Sequence, residues 1–488
     1  MRQPRPFLGP ILPMLALGGV PFVLAGCRTY EAKPLDLASV RTALAERPGA
    51  VVATPADGRL AFTLADAEKA ALLFNPSLRL ARLDAGVARA LADASGLWDD
   101  PTVGVDLIRF VELSDEPWVV AGMVDFSIPI SGRLESERAR AESGARAELT
   151  RVAGLEWETV NALRSLWIGH EAARESEAVL AAHVERLVKV VDGLRAVAAA
   201  GQMGRAEFRF FELDLARRRL ELERARGEAE RARLAILATL GFSPDAPVSF
   251  VTGAVAMAEP LGISEAITLA ERRNPALLLA IDRYDEREKA LELEIRKQVP
   301  DFRFGAGGQT DEGRSGLLLG FSIPIPVLNG NRQAIDVAEA ERRKAAEAYA
   351  AGYDALVASL GLADERRREA AARLAIAEGT LVPLAESQWN DTLRLIELGE
   401  TEPVFIVESL DSRLESSLAL IEGRRDAAIA TVEFLAAIGP EPARGGAASE
   451  ELPRQEPSTQ EPSTPEPSTP EPSTSEPSTQ DPLTERKP

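Results

Sequence analysis

Trp118-Val119-Val120-Ala121-Gly122-Met123-Val124-Asp125-Phe126-Ser127-Ile128-Pro129-Ile130 is the stretch on which the fold turns. Val120, Gly122, Val124, Phe126 and Ile128 alternate with Ala121, Met123, Asp125 and Ser127. A period of two with apolar residues on one side predicts a strand with one apolar face. It is also the pattern of a barrel wall, apolar towards lipid and polar towards a lumen. About ten residues is the length a tilted strand needs to cross a bilayer. Pro129 ends the run, because proline has no N–H to give to a ladder. Residues 102–112 precede it as a pairing strand.

The closing phrase returns. Phe126-Ser127-Ile128-Pro129-Ile130 matches Phe321-Ser322-Ile323-Pro324-Ile325, a shift of just under 200 residues. Leu64-Ala65-Asp66-Ala67, leading to Asn75-Pro76-Ser77-Leu78, matches Ile263-Ser264-Glu265-Ala266, leading to Asn274-Pro275-Ala276-Leu277. The segment around Gly201 matches that around Gly399. The order is the same each time, which predicts an internal duplication with repeats at 63–252 and 253–440.

Each half reads as helix, two strands, long helix, turn, long helix, a fold that is mainly α with β. The first helices span 64–97 and 263–298, broken at the Asn-Pro pairs because proline disfavours helical geometry before it. The second strand pair falls at 301–309 and 316–325. Residues 131–199 and 330–397 are rich in Ala, Glu, Arg and Leu, with one proline, Pro383. At 1.5 Å per residue each is roughly 100 Å long, a coiled-coil length. Return helices at 204–240 and 402–438 follow turns marked by Gly201 and Gly204, and by Gly399 and Pro403, and end at Gly241 and Gly439.

The ends differ in kind. Residues 1–26 have the form of a secretory signal: Arg2 and Arg5, then an apolar stretch from Phe7 to Phe22 broken by prolines. It runs into Leu24-Ala25-Gly26-Cys27, which resembles the lipobox of bacterial lipoproteins. That resemblance implies cleavage before Cys27, acylation of Cys27 and, with Arg28 rather than Asp next, outer-membrane sorting. Residues 27–62 are expected to form an extended anchor segment. Residues 441–488 carry a five-residue repeat, beginning Glu456-Pro457-Ser458-Thr459, too poor in apolar groups to fold.

Composition narrows the function. Asp+Glu 76 against Lys+Arg 56 gives a net charge of −20, which argues against nucleic-acid binding. Two histidines and one cysteine leave little for a metal centre and nothing for an intrachain disulfide. The sequence offers no nucleophile elbow, phosphate loop or His-Glu-x-x-His motif, so no catalytic residue, metal site or cofactor is expected, and the chain is not expected to be an enzyme.

Four strands cannot close a barrel alone, and an open sheet in lipid leaves backbone groups unpaired at several kcal/mol each. The strands are therefore either soluble and covered or completed by other subunits, and cyclic symmetry offers the second route. At this point roughly residues 60–440 resemble the TolC family of outer-membrane efflux proteins, in its acylated branch. The carriers are the Asn-Pro pairs, the two Phe-Ser-Ile-Pro-Ile strand ends, the paired turn glycines and the lipobox. The family implies a homotrimer with an outer-membrane β-barrel, four strands per protomer, continuous with a long periplasmic α-helical barrel. It implies a passive exit duct in outer-membrane lipid, served by a periplasmic adaptor and an inner-membrane transporter of RND or ABC type. The Phe-Ser-Ile-Pro-Ile wording resembles outer-membrane components of heavy-metal cation exporters. A type I protein-secretion duct shares the architecture, and a non-pore periplasmic helical scaffold lipoprotein is a reading of another class.

The resemblance also places residues. Gly201, Gly204 and Gly399 fall at adaptor-contacting tips. Glu207 and Glu408 align with acids that narrow the tunnel, while Phe405 stands where an acid is common, which implies a partly apolar periplasmic gate. Arg205, Arg209 and Arg394 are placed to pair with these acids across helices. Asp106, Asp125, Arg303 and Gln309 are lumen candidates. His170 and His183 read as helix-packing or surface residues.

Overall fold

The computed structural model describes residues 30–52, 60–109, 118–251, 253, 261–311, 314–398, 400 and 402–441. The signal segment, Cys27, Gly399 and the repeat-bearing tail lie outside the described residues.

Helix α1 (Leu37–Glu46) starts at Asp36, whose carboxylate accepts from Ala38 N and Ser39 N. Residues 27–62 are therefore not extended throughout. A capped, alanine-bearing decapeptide folds locally, a signal too short to outweigh the prolines around it in the sequence. Strand β1 (Leu60–Phe62) leads to α2 (Leu64–Phe74), which opens on a reciprocal capping box between Thr63 and Asp66. Next come α3 (Pro76–Asp93), β2 (Thr102–Arg109), β3 (Trp118–Ile128), the 67-residue α4 (Arg133–Ala199) and α5 (Arg205–Leu240). After β4 (Val248–Phe250) the series runs again: α6 (Ile263–Arg273), α7 (Pro275–Arg296), β5 (Phe302–Asp311), β6 (Arg314–Ser322), α8 (Arg332–Ile376), α9 (Val382–Leu398) and α10 (Pro403–Ile438).

Two further details depart from the sequence reading. β6 ends at Ser322, two residues before Pro324, and the second long helix is not continuous. A π turn at Ala377–Leu381 separates α8 from α9. Pro383 has no N–H for the carbonyl four residues back and its ring crowds that carbonyl, so the preceding turn widens.

The Asn-Pro pairs are joints. The Asn75 side chain accepts from Ser77 N and Leu78 N (3.0 and 3.2 Å), capping α3, while its Nδ2 donates to the Thr239 carbonyl at the end of α5 (2.9 Å). In the second half, Asn274 accepts from Leu277 N (3.0 Å) and donates to the Ala437 carbonyl at the end of α10 (2.8 Å). Each return helix then stops on a glycine at positive φ, Gly241 at +69° and Gly439 at +108°. A Cβ there would overlap the carbonyl oxygen of Phe74 or of Arg273, so only glycine fits beside the joint.

Around the first joint lies a core of Leu60, Phe62, Leu163, Trp167, Ile236, Leu240 and Phe242, roofed by β1 and β4, which pair in parallel. A second core, with Leu277, Leu360, Phe434 and Ile438, surrounds the second joint. A third, with Leu180, Leu187, Phe211, Leu215, Val407 and Leu414, joins α4, α5 and α10 nearer their turns. The helix neighbours run α3, α4, α7, α8 on one side of the joints and α5, α4, α10 on the other, where α10 packs against α8 and then α9. The main sheet has the order β2-β3-β5-β6, antiparallel throughout. None of the described helices is long and apolar enough to cross a membrane.

Candidate functional site

The sheet register sorts the side chains onto two faces. Val103, Val105 and Leu107 of β2 stand opposite Val124, Gly122 and Val120 of β3. Val124, Phe126 and Ile128 oppose Ala306, Phe304 and Phe302 of β5, and Phe304 and Ala306 oppose Phe321 and Leu319 of β6. One face is thus apolar across all four strands, and much of it is open: Val105 is 66% exposed, Leu317 78% and Phe321 66%. In a water-soluble sheet such a face would be covered by a second layer.

The other face carries Asp106, Asp125, Ser127, Arg303 and Gln309, the first two acids and the last two residues being the lumen candidates named above. Between them it is lined by glycine. The Met123 side chain lies over this strip: a Cβ at Gly305 would come within 2.7 Å of its Sδ. A Cβ at Gly307 would overlap the Gly122 carbonyl oxygen, so β3 and β5 approach too closely here for any larger residue.

Aromatic rings mark both ends of the apolar face. Phe302 and Phe304 pack on Phe321 (ring centroids 5.9 and 5.3 Å apart) at the end nearer the helices, and Trp118, with Arg109 over its ring, stands at the far end. Trp118 and Phe126 are eight steps apart on β3, about 26 Å of strand and roughly 20 Å of height at a 40° tilt. That approaches the apolar band of a transmembrane barrel, which is about 25 Å tall between aromatic girdles. Strands of 8 to 11 residues suit the same span.

The sheet is tied to the helices at Arg133, the first residue of α4. Its largely buried guanidinium bonds Asp301 before β5 (2.9 Å), Glu137 (3.0 Å) and Asp99 before β2 (3.0 Å). Burial opposes its charge, but Asp301 and Glu137 outweigh burial and hold its pKa above the ordinary value. One side chain thereby fixes strands of both halves to one helix.

At the opposite end lie the turns. Gly201 takes φ +72°, and Gly204 precedes α5 in extended geometry. Glu207 and Phe405 are each the third residue of their helix, α5 and α10, and both are exposed, as is Glu408 one turn further on. The cross-helix pairing expected for the arginines does not occur within one chain. Arg394 pairs with Asp391 of its own helix (3.4 Å), and among the described residues Arg205 and Arg209 have no ion-pair partner. Glu207 and Glu408, the acids they were expected to meet, are exposed.

His170 and His183 are both buried. His170 packs edge-on against Phe250 (5.4 Å), and burial lowers its pKa. His183 lies against Asp411, with Arg218 and Asp214 beside it. No sequence pattern announced this cluster, because its members come from three helices, with Asp411 228 positions beyond His183.

No known protein-family profile matches the chain, and no curated protein matches it in sequence. Solved structures do. A membrane protein from Pseudomonas aeruginosa superposes with a TM-score of 0.67 at 18% identity, covering 77% of this chain and 92% of that one. The outer-membrane channel OprN gives 0.66 at 16%, covering 77% and 89%. The outer membrane protein VceC from Vibrio cholerae gives 0.65 at 16%, covering 77% and 96%. The chain therefore shares the fold of these three membrane proteins, one of them an outer-membrane channel.

Proposed function

We propose that the chain is one third of an outer-membrane exit duct. Three copies close their sheets into a transmembrane barrel and their long helices into a periplasmic tunnel, and the chain acts as a passive conduit, not an enzyme. The observation that carries this reading is the four-stranded sheet, apolar in register on one face, polar and glycine-lined on the other, with β2 and β6 as edges. An unpaired edge in lipid costs several kcal/mol per backbone group, so neighbouring copies must supply the missing partners. The helical strip has matching open edges: Phe210, Leu213 and Leu220 of α5, and Leu384, Ile396 and Leu398 of α9, are exposed in the single chain. A helical scaffold without a pore leaves the apolar sheet face with no occupant.

In this reading the two halves are a duplication, each providing one hairpin of strands and one of helices. Asp106, Asp125, Arg303 and Gln309 line the lumen. Glu207, Phe405 and Glu408 narrow the periplasmic mouth, and the turns at Gly201, Gly204 and Gly399 meet the adaptor. Cys27 carries the lipid. The cargo is small molecules or metal cations delivered by an adaptor and an inner-membrane pump of RND or ABC type. Purified full-length protein added to planar bilayers is expected to give stepwise ion conductance. Bilayers that stay silent at concentrations where the protein is inserted would overturn the duct.

A further inference from the structure

The polar face of the main sheet is laid out in rows. Thr102, Asp125, Gly305 and Gly320 are register partners in one row, and Gly104, Met123, Gly307 and Leu318 in the next, farther from the helices. Met123 and Asp125 are half-buried in the single chain. Their ends converge. A Cβ at Gly305 would overlap Asp125 Oδ1 and come within 2.7 Å of Met123 Sδ, so both atoms reach over one glycine. A Cβ at Gly320 would be 3.9 Å from the same sulfur, which therefore lies across β5 towards β6. Any larger residue at position 305 would fill the space in which the two atoms meet.

A methionine that only filled a gap over glycines would need no carboxylate beside its sulfur. Arg303 shares this face one row nearer the helices, yet among the described residues neither it nor Asp125 forms an ion pair. Asp125 reaches over Gly305 beside the sulfur instead. The two donors differ in kind. The carboxylate supplies charge, and the thioether is a neutral, polarisable, soft ligand. Calcium and magnesium ions take oxygen ligands, six or more of them, and gain nothing from sulfur. Soft monovalent cations, copper(I) and silver(I) among them, prefer thioether sulfur and accept few ligands. Among the described residues no group of three or more His, Cys, Asp or Glu could hold a metal ion, so this pair has no resident site of those donors to compete with. Two donors with Arg303 nearby bind weakly, and weak binding suits a conduit, because cargo must leave a site as well as enter it.

We propose that Met123 and Asp125 form, in each copy, a transit site for soft monovalent cations on the lumen face of the sheet. The proposal deepens the duct reading and rests on it, because only a closed barrel turns this face into a lumen.

The test uses full-length protein in detergent, in a Cys27→Ser background that removes the one thiol, dialysed against silver nitrate in chloride-free buffer. Silver is the probe because it has the ligand preference of copper(I) without its redox chemistry. Retained silver is read by elemental mass spectrometry. The wild-type sequence at 123 is expected to retain one ion per chain that Met123→Leu loses, a change that keeps size and apolar character. Asp125→Asn should weaken retention, and Met203→Leu, in the third core, should leave it unchanged. Equal retention with and without the Met123 sulfur overturns the site. So does silver that a large excess of magnesium nitrate displaces, since the carboxylate alone would then be the ligand. Conductance of the same samples in planar bilayers, in potassium nitrate, separates this proposal from the duct. Silver should lower the wild-type conductance and spare Met123→Leu. Silver held by Met123 in a protein that never conducts sinks the duct and leaves the site, whereas a conducting protein whose silver retention ignores Met123 does the reverse.

Discussion

Replacing Asn75 by alanine removes two things at once. It deletes the cap of α3, whose acceptor holds Ser77 N and Leu78 N, at a cost of about 1 kcal/mol. It also deletes the donor to the part-buried Thr239 carbonyl, about 1 kcal/mol more. The sum, about 2 kcal/mol, corresponds to roughly thirtyfold in a local opening equilibrium. Asn75→Asp separates the contributions. The carboxylate still caps α3 but turns an acceptor towards Thr239, so the cap survives and the clamp is lost. Hydrogen exchange read by mass spectrometry on full-length protein measures both. In Asn75→Ala, the amides of Gly241 and Phe242, which close the end of α5 on Ala238 and Leu237, should exchange about thirtyfold faster. The amide of Gly439 should be unchanged. Asn274→Ala should show the mirror result. Unaltered exchange in Asn75→Ala would refute the joint, and an Asn75→Asp protein as protected as wild type would refute the clamp.

Glu148 gives a pH test. Burial raises its pKa, but the hydrogen bonds from Arg151 and Arg283 outweigh burial and hold it below the ordinary value. A lowered native pKa means the unfolded chain takes the proton first. The stability from Glu148 is therefore full above the usual glutamate range and lost as the pH falls through the native value. Melting curves should show Glu148→Gln less stable than wild type at neutral pH and converging with it in acid; parallel curves would remove Glu148 from the account. Gly307→Ala should abolish extraction of folded protein from the membrane fraction, since the new methyl overlaps the Gly122 carbonyl oxygen; normal yield and normal conductance would contradict the close approach of β3 and β5. Glu408→Ala should raise closed-state conductance or change cation preference, and identical single-channel records would return Glu408 to an ordinary solvated position.

Much of this architecture is local, and so was legible. Alternation in β3 fixes which residues share a face, and the register then carries that division across all four strands. The Asn-Pro pairs announce breaks because the restriction before proline acts on the neighbouring residue alone. Their second role, clamping Thr239 and Ala437 more than 160 positions away, leaves no local trace. β1 and β4 escaped notice because three residues are too few to show a period. Pro383 was visible, but helix neighbours allow a widened turn where proline alone suggests a break. The His183 cluster is the clearest case. Each member looks like one more charged or polar residue on a long helix, and only the packing of α4, α5 and α10 brings them together.

The central claim is that one chain supplies an incomplete wall and identical neighbours finish it. Single cysteines on the edge strands, Val105→Cys in β2 and Leu319→Cys in β6, test it in the Cys27→Ser background with a short bifunctional maleimide applied to membranes. Either cysteine alone should yield single chains. Both on one chain should yield cross-linked dimers and trimers and nothing larger, because β2 of each copy lies beside β6 of the next and the ring closes at three. Single chains only, from protein that washes off the membrane, would contradict the account.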